Sequence, residues 1–327
     1  MSNRINEIRI AVVMEAFLDQ SLEDTLEWLS SAAPEVTDLE IGAGGYAPHP
    51  HCDTDTLLAD ADARRKWLSS INEKGFNVAA FNTWGNPLHG DKEIAQAHDE
   101  ALRNGIRLAT EIGCNRIVAM AGCPPATLAD ASPHFAGGGW LPYLENVYEQ
   151  QWVDRIESYW SEVNEFAQSV NPELMICLEL HPGTVAYNVS TFERVSSLGP
   201  SINANLDPSH FMWMQMDALK VASRIYDRVG HMHGKDVTFH EENLAMNGVM
   251  DSRWPQPATE MPWTFSVPGR GHDLAWWTEL LTRTRGSRAT VISIEHEDPF
   301  VSPQVGVPEA AKLLRQAIDA SVMASAS

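Results

Sequence analysis

Four short segments in the second half of the chain place acidic or imidazole side chains directly after an apolar run. The segments are LELHPG (178–183), NANLDPSH (203–210), HMHGKD (231–236) and ISIEHED (292–298). Side chains two residues apart on a β-strand share one face. On this spacing the pairs are Glu179 with His181, Asn205 with Asp207, His231 with His233, and Glu295 with Glu297. We therefore expect each segment to end a strand and to point a polar pair towards a common site.

One side chain from each segment forms a candidate set of metal ligands: Glu179, Asp207, His233 and Glu295. Three carboxylates at one point repel one another and raise one another's pKa unless a cation neutralises them. Carboxylate oxygens with one imidazole suit Mn²⁺ first, with Mg²⁺, Co²⁺ and Zn²⁺ as alternatives. A single carboxylate at a strand end is more often a helix cap or a solvated loop residue, so the prediction depends on all four occurring together.

Other side chains near the predicted strand ends are candidates for catalysis or substrate binding. His181 and His210 are candidate general bases because imidazole titrates near neutrality. The candidate substrate-binding residues are Trp84, His89, His210, Lys235 and His272. Trp140 and Trp213 also lie at or beyond strand ends, where we expect either stacking on a sugar or packing at the rim.

For three further features, a structural role is either an equal or the preferred explanation. His231 is as well explained as a core histidine bonded to backbone as by a role in the site. His296 is out of phase with Glu295 and should face the helices. The Trp276-Trp277 pair is expected to pack an outer helix rather than to bind sugar.

The whole chain alternates apolar, β-branched runs with helical stretches. The predicted strands are 8–15, 37–44, 77–84, 116–122, 174–181, 202–210, 229–236 and 290–298. The predicted helices are 21–33, 54–73, 91–112, 151–170, 190–198, 215–228, 273–285 and 307–322. Eight strand–helix repeats predict an α/β fold, a (β/α)₈ TIM barrel that forms one domain over residues 1–327. The loops after strands four and seven, residues 123–150 and 237–272, are extended, and barrel enzymes build their sites from such loops.

Composition and net charge argue against several kinds of partner for this protein. The 327 residues are 44% hydrophobic and carry a formal net charge of −21, which argues against nucleic acid or an anionic membrane as partner. No signal peptide or transmembrane span is evident. The four cysteines have no CxxC or zinc spacing, which favours a reduced, cytoplasmic protein. We expect a small carbohydrate or glycoside as substrate and a homo-oligomeric assembly.

The motifs from FNTWGNPLHG (81–90) to ISIEHED resemble those of the sugar phosphate isomerase/epimerase superfamily, the xylose-isomerase-like barrels that include ketose 3-epimerases and inosose dehydratases. The combination GNPLH, ELHPG, LDPSH, HxHxKD and SIEHED is also similar to the catalytic α subunit of bacterial C-glycoside deglycosidases, which act on 3-oxo-glucosides with a small β subunit. The resemblance implies that the metal ligands are Glu179, Asp207, His233 and Glu295. It further implies that Glu179 and Glu295 act as acid and base, and that His210 contacts a substrate oxygen.

The chain departs from the epimerases at Phe239, where they carry an arginine six residues after the metal-binding histidine. This departure argues against a simple free-ketose 3-epimerase. An isomerase or epimerase and a lyase that cleaves 3-oxo-glycosides share the same site and the same first step, proton removal next to a carbonyl. An endonuclease-IV-like phosphodiesterase is a third hypothesis, against which the charge of −21 argues. A non-catalytic sugar-binding protein is the fourth.

Overall fold

The structure, a computed structural model, describes residues 8–138, 142–253 and 256–324. Its strands are β1 (Arg9–Val13), β2 (Val36–Gly42), β3 (Asn77–Asn82), β4 (Arg116–Met120), β5 (Met175–Glu179), β6 (Ile202–Leu206), β7 (Val229–Gly234), β8 (Asp236–Phe239), β9 (Trp263–Ser266) and β10 (Val291–Ile294). Eight of them form a closed barrel in the order β1-β10-β7-β6-β5-β4-β3-β2, and β8 and β9 pair separately. The barrel strands are the eight predicted ones, each ending two to four residues earlier than predicted.

Helices separate the barrel strands, as the predicted (β/α)₈ fold requires. They are α1 (Leu22–Ala32), α2 (Thr54–Ala59), α3 (Ala61–Glu73), α4 (Lys92–Ile112), α5 (Val147–Gln151), α6 (Glu157–Val170), α7 (Val189–Ser196), α8 (Pro208–Trp213), α9 (Ala218–Arg224), α10 (Glu241–Asn247), α11 (Leu274–Thr284) and α12 (Pro303–Ala324). A π-helical turn, Trp152–Ile156, joins α5 to α6. Short 3₁₀ turns occur at Met14–Phe17, Ala136–Gly138, Pro142–Leu144, Tyr226–Arg228 and Ala258–Glu260.

Three predicted elements differ from the observed ones. The predicted helix 54–73 is two helices, because Asp60 is extended and its Oδ1 accepts the N–H groups of Asp62 and Ala63, which begins α3. The predicted strand 202–210 ends at Leu206, and α8 follows it at once. The predicted long loop 237–272 contains an antiparallel pair, with Phe239 opposite Trp263 and Val237 opposite Phe265.

Contacts within the chain group its residues into two compact units. One comprises residues 1–39, 74–77 and 206–327, and the other comprises residues 40–73 and 78–205. The prediction of one domain therefore stays a prediction. Within the described residues, no helix combines the length and the apolar composition that a membrane span requires. The four cysteines are buried and form no disulfide.

In the first unit, β1, β10 and β7 pair in parallel and α12 packs against them. Ile10 lies opposite Ile292, and Val12 lies opposite Ile294, all buried. Leu314 of α12 is fully buried as well. Each such side chain contributes about 1.5–3 kcal/mol of hydrophobic stabilisation, so this core stabilises the pairing of β1 with β10 beneath α12.

In the second unit, α4 shows how local sequence sets the ends of a helix. Asp91 caps the N-terminus, where its Oδ1 accepts the N–H of Glu93 at 2.9 Å. Gly113 ends the helix in the left-handed conformation, with φ of 77°, which glycine adopts without steric cost. The buried face of α4 includes Ile106 and Ala109.

Candidate metal centre and active site

The end of β7 carries two polar side chains, His233 and Lys235, on either side of Gly234. A Cβ atom at Gly234 would lie 2.9 Å from Leu314 Cδ1 of α12 and 3.6 Å from Ile292 Cγ1. Position 234 therefore faces α12. Because strand side chains alternate, His233 and Lys235 face away from the helix, and both are buried.

The parallel register brings the end of β10 level with these residues. Ser293 lies opposite His233, and the N–H of Glu295 donates to the C=O of Gly234 at 3.4 Å. Glu295 is only 6% exposed. The result is that Glu295 and His233, 62 positions apart in sequence, lie side by side at the carboxyl end of the strands.

His296, between Glu295 and Glu297, turns in the opposite direction. Its Nε2 lies 2.8 Å from the C=O of Val301, and a Cβ at Gly306 of α12 would lie 2.4 Å from its ring. Because a carbonyl only accepts, Nε2 carries the proton. His296 therefore packs towards the helices, where its spacing predicts it.

Asp207 connects β6 to α8. Its Oδ1 accepts the N–H of Ser209 at 2.9 Å, and Pro208 fills the first helical position, where its missing N–H costs no hydrogen bond. This N-cap explains why the strand ends before Asp207. Capping uses Oδ1, while Oδ2 lies 3.9 Å from His233 Nδ1 and 3.3 Å from His210 Nε2.

The four predicted ligands occur together. His233 Nδ1 lies 3.0 Å from Glu295 Oε2. Glu179, the last residue of β5, is 1% exposed, and its Oε2 accepts a hydrogen bond from Asn205 Nδ2 at 3.4 Å. One ligand atom from each of Glu179, Asp207, His233 and Glu295 lies within 4.8 Å of the others, and all four residues are buried.

This donor set fits a divalent cation. Asp207 Oδ2 and Glu295 Oε2 are buried, and within the described ranges neither accepts a well-aligned hydrogen bond, although the Lys235 ammonium lies at ion-pair distance. One ammonium offsets only one of the three carboxylate charges, whereas a dication among them offsets two. Carboxylate oxygens with one imidazole nitrogen accept Mn²⁺, Mg²⁺, Co²⁺ or Zn²⁺ and do not select among them.

The site also sets the charge of its own groups. Burial raises the pKa of Asp207, but the Lys235 ammonium, the imidazoles of His210 and His233, and the N–H of Ser209 together hold that pKa below its ordinary value. Burial lowers the pKa of His210 to about 4, against the attraction of Asp207. At pH 7, Asp207 is therefore ionised and His210 is neutral. A neutral imidazole keeps one basic nitrogen.

The two candidate general bases have different surroundings. His181 is half-buried, two residues after Glu179, and its Nδ1 lies 2.5 Å from the C=O of Pro182. Since a carbonyl only accepts, Nδ1 carries the proton and Nε2 is the basic atom. His210 is buried on α8 and packs edge-on against Phe265, with ring centroids 5.5 Å apart. Their roles in catalysis stay predictions.

Two of the predicted substrate contacts take part in local structure. Trp84 is 7% exposed, and its C=O accepts the N–H of Tyr46 at 2.8 Å. His89 is half-buried, and its Nδ1 accepts the N–H of Asp91 at 2.9 Å, just before α4. This bond assigns the proton of a neutral His89 to Nε2. Substrate binding by either residue stays a prediction.

The remaining aromatic candidates also take part in local packing where the structure describes them. Trp213 stacks on Trp263 with centroids 4.7 Å apart and planes 10° apart, so one of its faces is covered. Trp277 is fully buried, as expected for a packing residue, and Trp276 packs beside His272 with centroids 4.7 Å apart. Trp140 lies outside the described residues.

Asp236 has a role that its position in the sequence did not predict. This fully buried carboxylate accepts the N–H of Gly269, Gly271 and His272 on Oδ2, at 3.1, 3.2 and 2.9 Å. Its Oδ1 accepts the N–H of Val237 at 2.9 Å and lies 2.7 Å from His272 Nδ1. Asp236 thus anchors the loop that carries the candidate residue His272. The KD dipeptide after HMHG marks the position, but the loop residues that Asp236 binds lie 33 to 36 residues later.

His231 and Glu40 form a further part of the buried polar interior. His231 Nε2 lies 2.8 Å from Ser293 Oγ, so a side chain contacts this histidine where a backbone partner was one of two expectations. Ligand atoms of Glu40, His231 and His233 lie within 4.8 Å of one another. Glu40 lies between two apolar residues in the segment DLEIG, and a charged residue in such a position is a sequence signal for a buried polar site.

The chain is similar in sequence to a known protein family and to a bacterial protein. Residues 39–317 match the family described as xylose isomerase-like TIM barrel. The protein YfiH of Bacillus subtilis (strain 168) is 28% identical over 316 residues, which cover 95% of this chain and 99% of that protein.

Solved structures with the same fold share little sequence with the chain. The 3-keto-D-glucoside 4-epimerase YcjR from E. coli, in its apo form, is 13% identical, with a TM-score of 0.59 over 95% of this chain and 98% of that one. The IolI protein with a bound zinc atom is 15% identical, with a TM-score of 0.59 over 97% of this chain and 99% of that one. At such identities the likeness shows the fold alone.

Proposed function

Because the chain belongs to the xylose isomerase-like TIM barrel family, we propose that it is a divalent-metal-dependent enzyme that removes a proton next to a carbonyl group of a sugar or sugar derivative. Isomerisation or epimerisation is the proposed outcome. The observation that carries the proposal is the convergence of buried groups, with His233 Nδ1 3.0 Å from Glu295 Oε2 and 3.9 Å from Asp207 Oδ2. This end of the strands is where barrel enzymes have their active sites.

The proposed metal ligands are Glu179, Asp207, His233 and Glu295. When bound, a divalent metal supplies a Lewis acid that polarises the substrate carbonyl and stabilises the negative charge that develops beside it. The chain holds its ligands in place before binding: the N-cap of α8 orients Asp207, and the strand pairing of β7 with β10 orients His233 and Glu295. Burial of all these groups excludes water and strengthens their electrostatic effect on the substrate.

Proton transfer is assigned to side chains of the same group. Glu179 and Glu295 are the proposed acid and base, as the resemblance implies, with His181 and His210 as alternatives. A pKa of about 4 keeps His210 neutral at pH 7, so one ring nitrogen is unprotonated, but the same low pKa makes it a weak base. Returning the proton to the neighbouring carbon, or to the other face of the same carbon, gives the isomer or epimer.

The metal site is tested by binding. Chelator-treated protein is titrated with MnCl₂ in a calorimeter, and we expect one Mn²⁺ per chain. Glu295→Gln removes a ligand charge and should weaken Mn²⁺ binding at least tenfold, about 1.4 kcal/mol. Glu242→Gln is the matched control, because Glu242 is exposed. Absence of Mn²⁺ binding by the wild type, or equal binding by Glu295→Gln, contradicts the assigned site.

The reaction is tested separately with the Mn²⁺-loaded protein in D₂O, using a panel of ketoses and 3-oxo-glucosides. We expect deuterium at the carbon next to the carbonyl of at least one sugar, detected by NMR and mass spectrometry. Exchange should disappear in Glu295→Gln and persist in Glu242→Gln. A metal-loaded protein that exchanges deuterium into none of these sugars contradicts the proposed proton transfer.

A second candidate function is elimination from a 3-oxo-glycoside. The structural similarity to YcjR, a protein named for action on a 3-keto-glucoside, favours including it. After proton removal next to the carbonyl, a leaving group on the β carbon departs with its bonding electrons instead of the proton returning. Chromatography of the same incubations distinguishes the two functions, because elimination releases an aglycone and isomerisation does not. The cytoplasmic location, the homo-oligomer and a small second subunit stay predictions.

A further inference from the structure

Lys235 lies within the proposed metal site. Its Nζ is 3.1 Å from Asp207 Oδ2, 2.5 Å from Glu295 Oε2 and 2.7 Å from Glu297 Oε2. The side chain is only 2% exposed. A buried ammonium needs compensating charge, and here two of its three carboxylate partners are proposed metal ligands.

The oxygens that Lys235 contacts are the same ones that His233 Nδ1 approaches, Asp207 Oδ2 and Glu295 Oε2. A divalent metal binds a carboxylate oxygen at about 2.0–2.2 Å. With the ammonium 2.5 Å from Glu295 Oε2, the two cations would be separated by less than about 5 Å, where they repel strongly in a buried site. The ammonium and the metal therefore compete for these oxygens.

Glu297 offers the ammonium a second position. Glu297 is outside the four-ligand group, and its side chain is 48% exposed, so its carboxylate borders solvent. The ring of Phe265 lies under the same ammonium, with its centroid 4.4 Å from Nζ. A carboxylate and an aromatic face together hold a lysine that has left the ligand oxygens.

We propose that Lys235 is an internal competitor of the metal, whose ammonium offsets part of the negative charge of Asp207 and Glu295 in the metal-free protein and shifts towards Glu297 when the dication binds. This inference rests on the proposed function, because it requires the metal site. The ammonium keeps the buried carboxylates from repelling one another before the metal binds, and it weakens the affinity of the site for the metal.

The test replaces the ammonium with an apolar end of similar length. Lys235→Met should bind Mn²⁺ at least tenfold more tightly than the wild type in calorimetry, because the competing charge is gone. In the metal-free state, Lys235→Met should have a lower melting temperature than the wild type, and saturating Mn²⁺ should remove this difference. Lys220→Met is the matched control, because the Lys220 side chain is 82% exposed and its ammonium pairs with Asp217 at the surface. It should match the wild type in both measurements.

The outcomes separate this inference from the proposed function. A wild type that binds no Mn²⁺ contradicts both. A wild type that binds Mn²⁺, with Lys235→Met binding equally or more weakly, overturns the competitor role alone. If metal-free Lys235→Met does not stay folded, EDTA is added to the Mn²⁺-loaded proteins instead. Slower metal loss from Lys235→Met than from the wild type then supports competition, and equal or faster loss overturns it.

Discussion

Replacement of Asp236 by asparagine tests whether one buried carboxylate anchors the loop before α11. In the wild type, Oδ2 accepts three backbone N–H groups, from Gly269, Gly271 and His272, and Oδ1 accepts the N–H of Val237. The loop is shaped for this contact: Gly269 has φ of 100°, and a Cβ at Gly271 would lie 2.0 Å from the C=O of Val237. Asn has the same shape but one oxygen and no charge.

The expected cost follows from these bonds. If the amide oxygen replaces Oδ2, the three backbone bonds become neutral, and each weakens by about 0.5 kcal/mol. The amide NH₂ then faces the N–H of Val237, which is buried and loses its acceptor at a cost of about 1.5 kcal/mol. His272 avoids a similar conflict by changing tautomer, so that Nδ1 accepts from the NH₂. Asp236→Asn should therefore lower the free energy of unfolding by about 3 kcal/mol.

Urea unfolding followed by tryptophan fluorescence measures this loss at pH 7 on the metal-free protein. Asp154→Asn is the control, because Asp154 is exposed, and it should change stability by less than about 0.5 kcal/mol. The urea dependence of the free energy should be unchanged, so that the midpoint alone moves. A loss below about 1 kcal/mol for Asp236→Asn, the range of one neutral hydrogen bond, would refute the anchoring role.

Three further predictions concern packing, thiols and pH. Gly234→Ala should lower the free energy of unfolding by about 1–3 kcal/mol, because its Cβ would meet Leu314 at 2.9 Å. The double variant with Leu314→Ala should lose less stability than the sum of the losses of the two single variants. A loss equal to that sum in urea unfolding would count against the clash. Burial raises the pKa of Cys52 to about 12 and that of Cys123 to about 11. Both thiols should therefore react slowly with DTNB until guanidinium unfolds the protein. Rapid labelling of either cysteine in the folded protein, located by mass spectrometry, would contradict this. The pKa of Asp207 is lowered in the folded state, so its ionised form stabilises the metal-free protein above about pH 4 and this stability is lost as pH falls below that value. Between about pH 5 and 2, Asp207→Asn should therefore lose less stability than the wild type in thermal melts, and parallel curves would be evidence against the effect.

Local patterns in the sequence determined which side chains share a face, although each barrel strand ends two to four residues earlier than predicted. Alternation along a strand places His233 with Lys235 and Glu295 with Glu297, and it turns His296 away. These relations depend only on backbone geometry within a few residues, so they survive in the structure. Eight repeats of strand and helix likewise predicted the barrel, because parallel strands need crossover helices.

Contacts between distant segments were decided by the tertiary structure. The pairing of Phe239 with Trp263 joins two four-residue runs, DVTF and WTFS, that are too short to be recognised singly as strands. The Lys235 ammonium reaches Glu297 across 62 positions of sequence, and the carboxylate of Asp236 reaches the N–H of His272 across 36.

There is a physical reason why the sequence determines the direction of a side chain but not its contacts with distant segments. Side-chain direction follows from dihedral angles that each residue and its neighbours set, so the amino-acid sequence is sufficient to infer it. Whether an ammonium meets a metal ligand or solvent depends on strand register and on which helix covers which strand. At β7, two residues set the register and the helix contact. Gly234 has no side chain, which leaves room for Leu314 of α12, and Ser293 pairs opposite His233.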